Sequence, residues 1–217
     1  MPYNPDIHHR RSIRLKGYDY SQEGLYFVTL CVACRGDSCS RPNLFGKITD
    51  GEMMLNDFGQ VAHDEWVKLS ERYPNAYFDV FQIMPNHIHG IIELHPVGAT
   101  LAVARNNTTN YAQNGTVGDS ENCVTSNWAT ARVAPTDATN DAHVTMTATI
   151  GDIVGSYKSL VVNKCLEICK LRNEFLGKLW QRNYFEHIIR NEKSYQFIAD
   201  YIINNPAKWE SDKFYSE

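Results

Sequence analysis

An α+β fold, an antiparallel sheet with helices packed on one face, is what the order of local signals predicts. Two strand-like runs rich in β-branched and aromatic residues come first. A helical stripe follows, then two more strand-like runs, then further helices. Strands joined only by turns pair antiparallel, and helices arriving in blocks cover a sheet rather than alternate with its strands. At 217 residues, 43% of them hydrophobic, the chain can bury one sizeable core.

Residues 1–24 read as an irregular basic arm, interrupted by Gly17 and Gly24. Leu25–Ala33 is the first strand, and 35–43 a polar loop. Leu44–Met54 holds a second strand, with Asp50-Gly51 as a turn signal. Asn56 can cap a helix from Asp57 to about Tyr73, whose stripe is Phe58, Ala62, Trp66, Leu69 and Tyr73. Pro74-Asn75 stops it, and Ala76–Met84 is the third strand. Pro85-Asn86 then turns the chain into a fourth, beginning at His87. Order returns later with a helix over roughly 152–172, with Ile153, Tyr157, Leu160, Val161, Cys165 and Ile168 inward. An aromatic and basic stretch with extended parts spans 179–190. The last helix covers 191–205, capped by Asn191 or Ser194 and ended by Pro206. This order suggests a ferredoxin-like arrangement, a single domain assembled from residues 25–96 and 150–209.

Residues 97–149 interrupt that domain. They are rich in Ala, Thr, Asn, Val and Gly, carry almost no aromatic residues and keep no period, so a disordered insertion is expected. The codons for Val97-Gly98-Ala99-Thr100-Leu101-Ala102-Val103-Ala104, read on the reverse complement one nucleotide on, can encode Ala-Thr-Ala-Arg-Val-Ala-Pro-Thr. That is the sequence of residues 129–136. We infer an inverted DNA repeat inside the reading frame, which nucleotide sequencing tests: without complementary arms at these codons the inference fails.

The fourth strand carries the chemistry. In a strand, positions i and i+2 face the same way, so His87 and His89 share one face while Ile88 points into a core on the other. Two such imidazoles can ligate one ion but leave the site incomplete. On the last helix Tyr201 and Asn205 are i,i+4 and stack on one side, with Ile198 and Ile202 beside them. Asn205 offers a carbonyl oxygen and Tyr201 a phenol. The alternative is an amphipathic core tyrosine and a C-terminal cap before proline.

Other signals are weaker. Cys31-x-x-Cys34 with Cys39 nearby lacks a second Cys pair at zinc-finger spacing, and Cys165 and Cys169 lie one turn apart on a helix. All read better as small buried hydrophobes than as ligands. The net charge of −4 does not advertise a nucleic-acid binder, yet basic residues cluster over 8–16 and again between Lys158 and Arg190. No run of about 18 apolar residues exists to span a membrane. The first residues lack the apolar core of a signal peptide, so a cytoplasmic protein is expected.

Three blocks in order, Met84-Pro85-Asn86-His87-Ile88-His89, Leu179–Arg190 with Trp180-Gln181-Arg182-Asn183-Tyr184, and Asp200-Tyr201-Ile202-Ile203-Asn204-Asn205-Pro206, resemble the REP-associated tyrosine transposases. These belong to the single-tyrosine HUH transposases. The resemblance implies a ferredoxin-like domain with His87, His89 and Asn205 as metal ligands, though relatives often carry glutamine at the Asn205 position. It implies Tyr201 as nucleophile and a divalent cation, Mg²⁺ or Mn²⁺, as cofactor. Imidazole plus an amide oxygen suits Mn²⁺ somewhat better. Positive charge near Tyr201 is expected, to assist its deprotonation. The expected partner is single-stranded or hairpin DNA, nucleoid-associated when bound, and the expected assembly is a monomer or homodimer. Arg10, Arg11 and Arg14 of the arm, with Lys158 and Arg182, are the residues expected to contact DNA, and Trp180 and Tyr184 could stack bases. Two rivals stay open: a domesticated, non-catalytic hairpin-DNA-binding protein, and a metal-dependent phosphoesterase that would need carboxylates near the histidines, for which Asp79 and Glu93 are the near candidates.

Overall fold

Trp66 lies against the backbone of Gly90 in the middle of the histidine strand, and this contact locks the first helix onto the sheet. A Cβ at Gly90 would come within 2.3 Å of the indole ring. The structure is a computed structural model that describes residues 17–33, 43–95 and 148–215.

Among these residues the chain forms β1 (Gly24–Cys31), β2 (Gly46–Thr49), β3 (Glu52–Leu55), α1 (Asp57–Val67), α2 (Leu69–Arg72), β4 (Ala76–Ile83) and β5 (His87–Leu94). After 96–147 come α3 (Ile150–Arg172), β6 (Phe185–Ile189), α4 (Glu192–Asn204) and a 3-10 turn at Pro206–Ser211. Four strands make one sheet in the order β4-β5-β1-β6, and every pairing is antiparallel. The α+β expectation is met. The region read as a single second strand is instead a separate hairpin of β2 and β3. Its turn puts Asp50 and Gly51 at positive φ, which the Asp-Gly pair tolerates.

The helices begin where their caps dictate. Asn56 accepts from the Gly59 N–H at the start of α1, and Asn191 accepts from Ser194 at the start of α4. Thr149 and Asp152 form a reciprocal capping box on α3, so Thr149, which the sequence assigned to the insertion, belongs to this helix. Residues 97–147 of the insertion, the basic arm through residue 16 and Cys34 and Cys39 lie outside the described residues.

The sheet is covered on both faces. Tyr26, Val28 and Leu30 of β1 and Ile88, Ile92 and Leu94 of β5 share one core with Ala62 and Trp66 of α1 and Ile153, Tyr157, Val161 and Cys165 of α3. The alternate residues Leu25, Ile91 and Ile189 pack instead with Ala199 and Ile202 of α4. The one-face expectation therefore holds for α1 and α3, while α4 takes the opposite face. Alternation requires this: with Ile88 committed to the main core, a helix that reaches the histidines must lie on the other side. No helix of the described residues is long and apolar enough to cross a membrane.

Candidate functional site

His87 and His89 lie opposite Cys31 and Thr29 of β1, and His89 has Gln82 of β4 on its other flank. Both rings are buried, with 0% and 1% of their surface exposed. The two Nδ1 atoms have partners outside the pair: His87 Nδ1 is 2.9 Å from the Asn86 Oδ1, and His89 Nδ1 is 2.9 Å from Thr29 Oγ1. Holding Nδ1 fixes each ring's rotation and turns Nε2 inward, as metal-ligating histidines are commonly held. The two Nε2 atoms stand 3.0 Å apart. Burial pushes the His87 imidazole down to about 3, with nearby Lys213 adding to it. Burial and then His87 keep His89 well below its ordinary value. Both rings are neutral at pH 7, the form that ligates.

Helix α4 brings Tyr201 to the pair. Ala199 and Ile202 anchor it to the sheet, and the Tyr195 hydroxyl donates to Asp79 of β4. The Tyr201 hydroxyl lies 3.2 Å from His89 Nε2 and donates to Asp212 Oδ2 at 3.1 Å. One turn later Asn205 Nδ2 donates to the same Asp212 oxygen at 3.0 Å. Asn205 Oδ1 is buried and has no hydrogen-bond partner among the described residues.

Asp212 had no counterpart in the sequence reading. It ends the 3-10 turn that begins at Pro206, and its Oδ1 accepts from the Phe214 N–H. The same segment lays the Phe214 ring 4.5 Å and the Trp209 ring 5.9 Å from the His87 ring, centroid to centroid. Asn86 Nδ2 ties it down by donating to the Phe214 carbonyl. His87, His89 and Asp212 offer ligand atoms within 4.8 Å of one another. Beside this trio of two imidazole nitrogens and a carboxylate stands Asn205, bonded to Asp212 through Nδ2 and with its buried Oδ1 unpaired. A divalent cation fits that donor set, because it satisfies acceptors that have no hydrogen to share. Asp79, weighed as a carboxylate near the histidines, is taken up by Tyr195, and Glu93 pairs with His95 at 3.8 Å.

Electrostatics at Tyr201 differ from expectation. The charged side chain against its hydroxyl is Asp212 rather than a cation. Burial and then Asp212 push the phenol up to about 12. Of the residues expected to meet DNA, Lys158 and Arg182 line one cleft with Gly151, Val154, Gly155, Asn183 and Tyr184. Lys158 donates to the carbonyls of Gln181 and Asn183, and burial lowers its ammonium to about 8. Trp180 is core, packed 5.5 Å from the Phe45 ring and donating Nε1 to the Lys158 carbonyl. It has no face left for a base. Arg10, Arg11 and Arg14 lie outside the described residues.

No family model matches the sequence. An uncharacterized protein of Haemophilus influenzae is 38% identical over 215 residues, which span 98% of this chain and 97% of that protein. Among solved structures, a REP-associated tyrosine transposase bound to a REP hairpin overlaps with a TM-score of 0.49 at 18% identity. That overlap covers 92% of this chain and 76% of the other. A candidate transposase of Deinococcus radiodurans overlaps with a TM-score of 0.40 at 11% identity, over 88% of this chain and 95% of its own.

Proposed function

This chain belongs to the same family as the Haemophilus influenzae protein, and we propose that it works as a metal-dependent tyrosine transposase of the REP-associated type. In this reading it cleaves and rejoins single-stranded DNA at hairpin elements. The observation that carries it is the Tyr201 hydroxyl 3.2 Å from His89 Nε2, within a cluster of His87, Asn205 and Asp212. A structural tyrosine needs no such company, and buried acceptors left unpaired are costly unless a ligand uses them.

His87 Nε2, His89 Nε2, Asp212 and Asn205 Oδ1 would hold the cation. Mg²⁺ or Mn²⁺ bound there would supply Lewis-acid polarisation of the scissile phosphate and offset the charge gathering on it. Tyr201 is the nucleophile. Its hydrogen already points at Asp212 Oδ2, which is the atom placed to receive it. The phenolate oxygen attacks phosphorus in line, the bond to the 3′-oxygen breaks, and that oxygen takes up the proton received by Asp212, so a 5′-phosphotyrosine and a free 3′-OH result. Attack by a 3′-OH on that ester reverses the step and joins strands, so no nucleotide is consumed. A phenol held near 12 is a poor nucleophile at pH 7 by itself, and the positive charge of a bound cation would favour its ionisation. Lys158, Arg182 and the arm with Arg10, Arg11 and Arg14 are the proposed phosphate contacts.

The test is a covalent adduct. Protein incubated with single-stranded hairpin DNA and Mn²⁺ or Mg²⁺ gives a species that survives denaturing electrophoresis and vanishes in Tyr201→Phe. Cleavage that persists in Tyr201→Phe points to hydrolysis by activated water. Binding with no adduct in the unaltered protein points to a domesticated hairpin-binding role.

A further inference from the structure

Next to Tyr201, on the same face of the sheet, a cleft of about 440 Å³ takes no part in the cluster described above. Phe27, Phe185 and His187 of the sheet line one side. Lys193, Ser194, Phe197 and Ile198 of α4 line the other. The register explains the first group: Phe27 pairs with His187 across β1 and β6, and Phe185 with Thr29, so all three side chains emerge on the α4 face. Tyr184, the neighbour of Phe185, turns the opposite way into the cleft with Lys158 and Arg182.

Two of these rings are open to water. Phe197 is 75% exposed and Phe185 is 48% exposed. Cations stand beside them: Lys193 lines the cleft and Lys213 Nζ sits 5.8 Å from the centre of the Phe185 ring. Flat π faces flanked by ammonium groups match a nucleotide, base on ring and phosphate on cation. A second copy of this chain matches less well, because a two-fold contact through this patch would set its lysines against their own counterparts. The cleft is also continuous with the reacting group. Phe27 belongs to both, with its ring 5.3 Å from the His89 ring and edge-on to Tyr201 at 6.3 Å.

We propose that this cleft is a stacking subsite for one unpaired base adjacent to the phosphate that Tyr201 attacks. The inference rests on the transposase reading and adds a substrate contact to it. Stacking accepts every base, so the subsite contributes affinity and alignment of the strand rather than sequence choice. It replaces Trp180, which is buried, with Phe185 and Phe197 as the aromatic platform.

Fluorescence anisotropy with two labelled probes of about twelve nucleotides tests it: oligothymidylate, and an abasic strand with the same phosphates. The unaltered protein should prefer thymidylate about tenfold, the usual worth of one stacked base. Phe197→Ala should abolish the preference and leave the abasic affinity unchanged. An indole at this position, Phe197→Trp, should keep the preference and be quenched by thymidylate alone. Phe197 is exposed, so neither change threatens folding. An unchanged preference in both Phe185→Ala and Phe197→Ala overturns the proposal. So does a shift from dimer to monomer in Phe197→Ala with no change in DNA preference, which would make the patch a contact between copies. If either result comes with an adduct still forming at Tyr201, the transposase reading stands without this subsite. No DNA binding and no adduct in the unaltered protein overturns both.

Discussion

Ile88, Ile92 and Leu94 of β5 point into a core shared with α1 and α3, whereas His87, His89 and Ile91, on the alternate positions of the same strand, point at α4 and the chain's last described turns. The first face is continuous apolar packing that closes over Gly90 with an indole. The second is a thin apolar seam beside a polar cluster holding a tyrosine, an amide and a carboxylate. One strand thus separates the work. Stability resides where side chains are apolar and interlocked, and the proposed chemistry resides where polar side chains meet at one unpaired amide oxygen, Asn205 Oδ1. Changes on the first face should cost folding free energy and spare the chemistry of surviving protein. Changes on the second should do the reverse.

The sharpest comparison pairs two aromatic residues, one from each side. Tyr201→Phe should lower adduct formation by more than about a thousandfold, since it removes the attacking oxygen. Its urea midpoint should move by no more than about 0.5 kcal/mol equivalent, because the side chain is partly exposed. Trp66→Ala should cost about 4 kcal/mol in the same urea titration. A large stability loss in Tyr201→Phe would break the division of labour between the faces. Gly90→Ala comes next, at about 3 kcal/mol, because the new methyl meets Trp66 within 2.3 Å and the indole has packed neighbours behind it. Pairing Gly90→Ala with Trp66→Leu should recover part of the loss, a coupling that urea titration of the double variant measures.

A smaller effect lies at the edge of the apolar core, where the buried Glu65 carboxylate pairs with Lys164 at 2.7 Å and Arg72 at 2.9 Å. Burial alone would raise this carboxyl, but its hydrogen bonds with Lys164 and Arg72 outweigh burial and hold it below its usual range. A lowered folded value means stability that is complete above the unfolded value of about 4.3 and is lost as pH falls through the folded one. Glu65→Gln should therefore cost about 2 kcal/mol at pH 7. The gap between variant and parent should close below about pH 4 in urea titrations run across that range.

How much of this was legible in the sequence follows from period and distance. The helical run after Asn56 declared itself through Ala62 and Trp66 of α1 and Leu69 of α2, although it breaks at Lys68, and α3 through Ile153, Tyr157, Val161 and Cys165, because apolar spacing at helical period survives any tertiary setting. The β2–β3 hairpin was read as one strand since four residues are too few for alternation to stand out, although its Asp-Gly turn was visible. The one-face expectation missed α4, which lies on the opposite face because His87 and Ile88 point apart. The spacing of His87 and His89 on a strand and of Tyr201 and Asn205 along a helix suggested two pairs, and the family resemblance joined them into one site. Asp212 could not be read this way. It follows a 3-10 turn, carries no periodic signal, and reaches the histidines only through Asn86 and Phe214. Trp180 misled because an aromatic residue in a basic stretch looks the same in sequence whether its ring is buried or free.

Asp212 and Asn205 give the finest division on the histidine face, between the candidate ligand that the resemblance implied and the one that the geometry adds. Asp212 lies with the two imidazoles, and Asn205 bonds to it through Nδ2 and Oδ2. A carboxylate brings a full charge to a cation and an amide only a dipole, so Asp212→Asn should weaken Mn²⁺ binding more, by about a hundredfold against about tenfold for Asn205→Ala. Trp209 lies 5.9 Å from His87, which puts an indole close enough for bound Mn²⁺ to quench, and calorimetry gives the same constants independently. If Asn205→Ala is instead the more damaging change, its orphaned Oδ1 is the direct ligand and Asp212 serves to hold Asn205 and Tyr201 in place. If the two variants weaken binding equally and the double variant no further, the pair acts as one hydrogen-bonded unit, and the ion reads their contact rather than either residue alone.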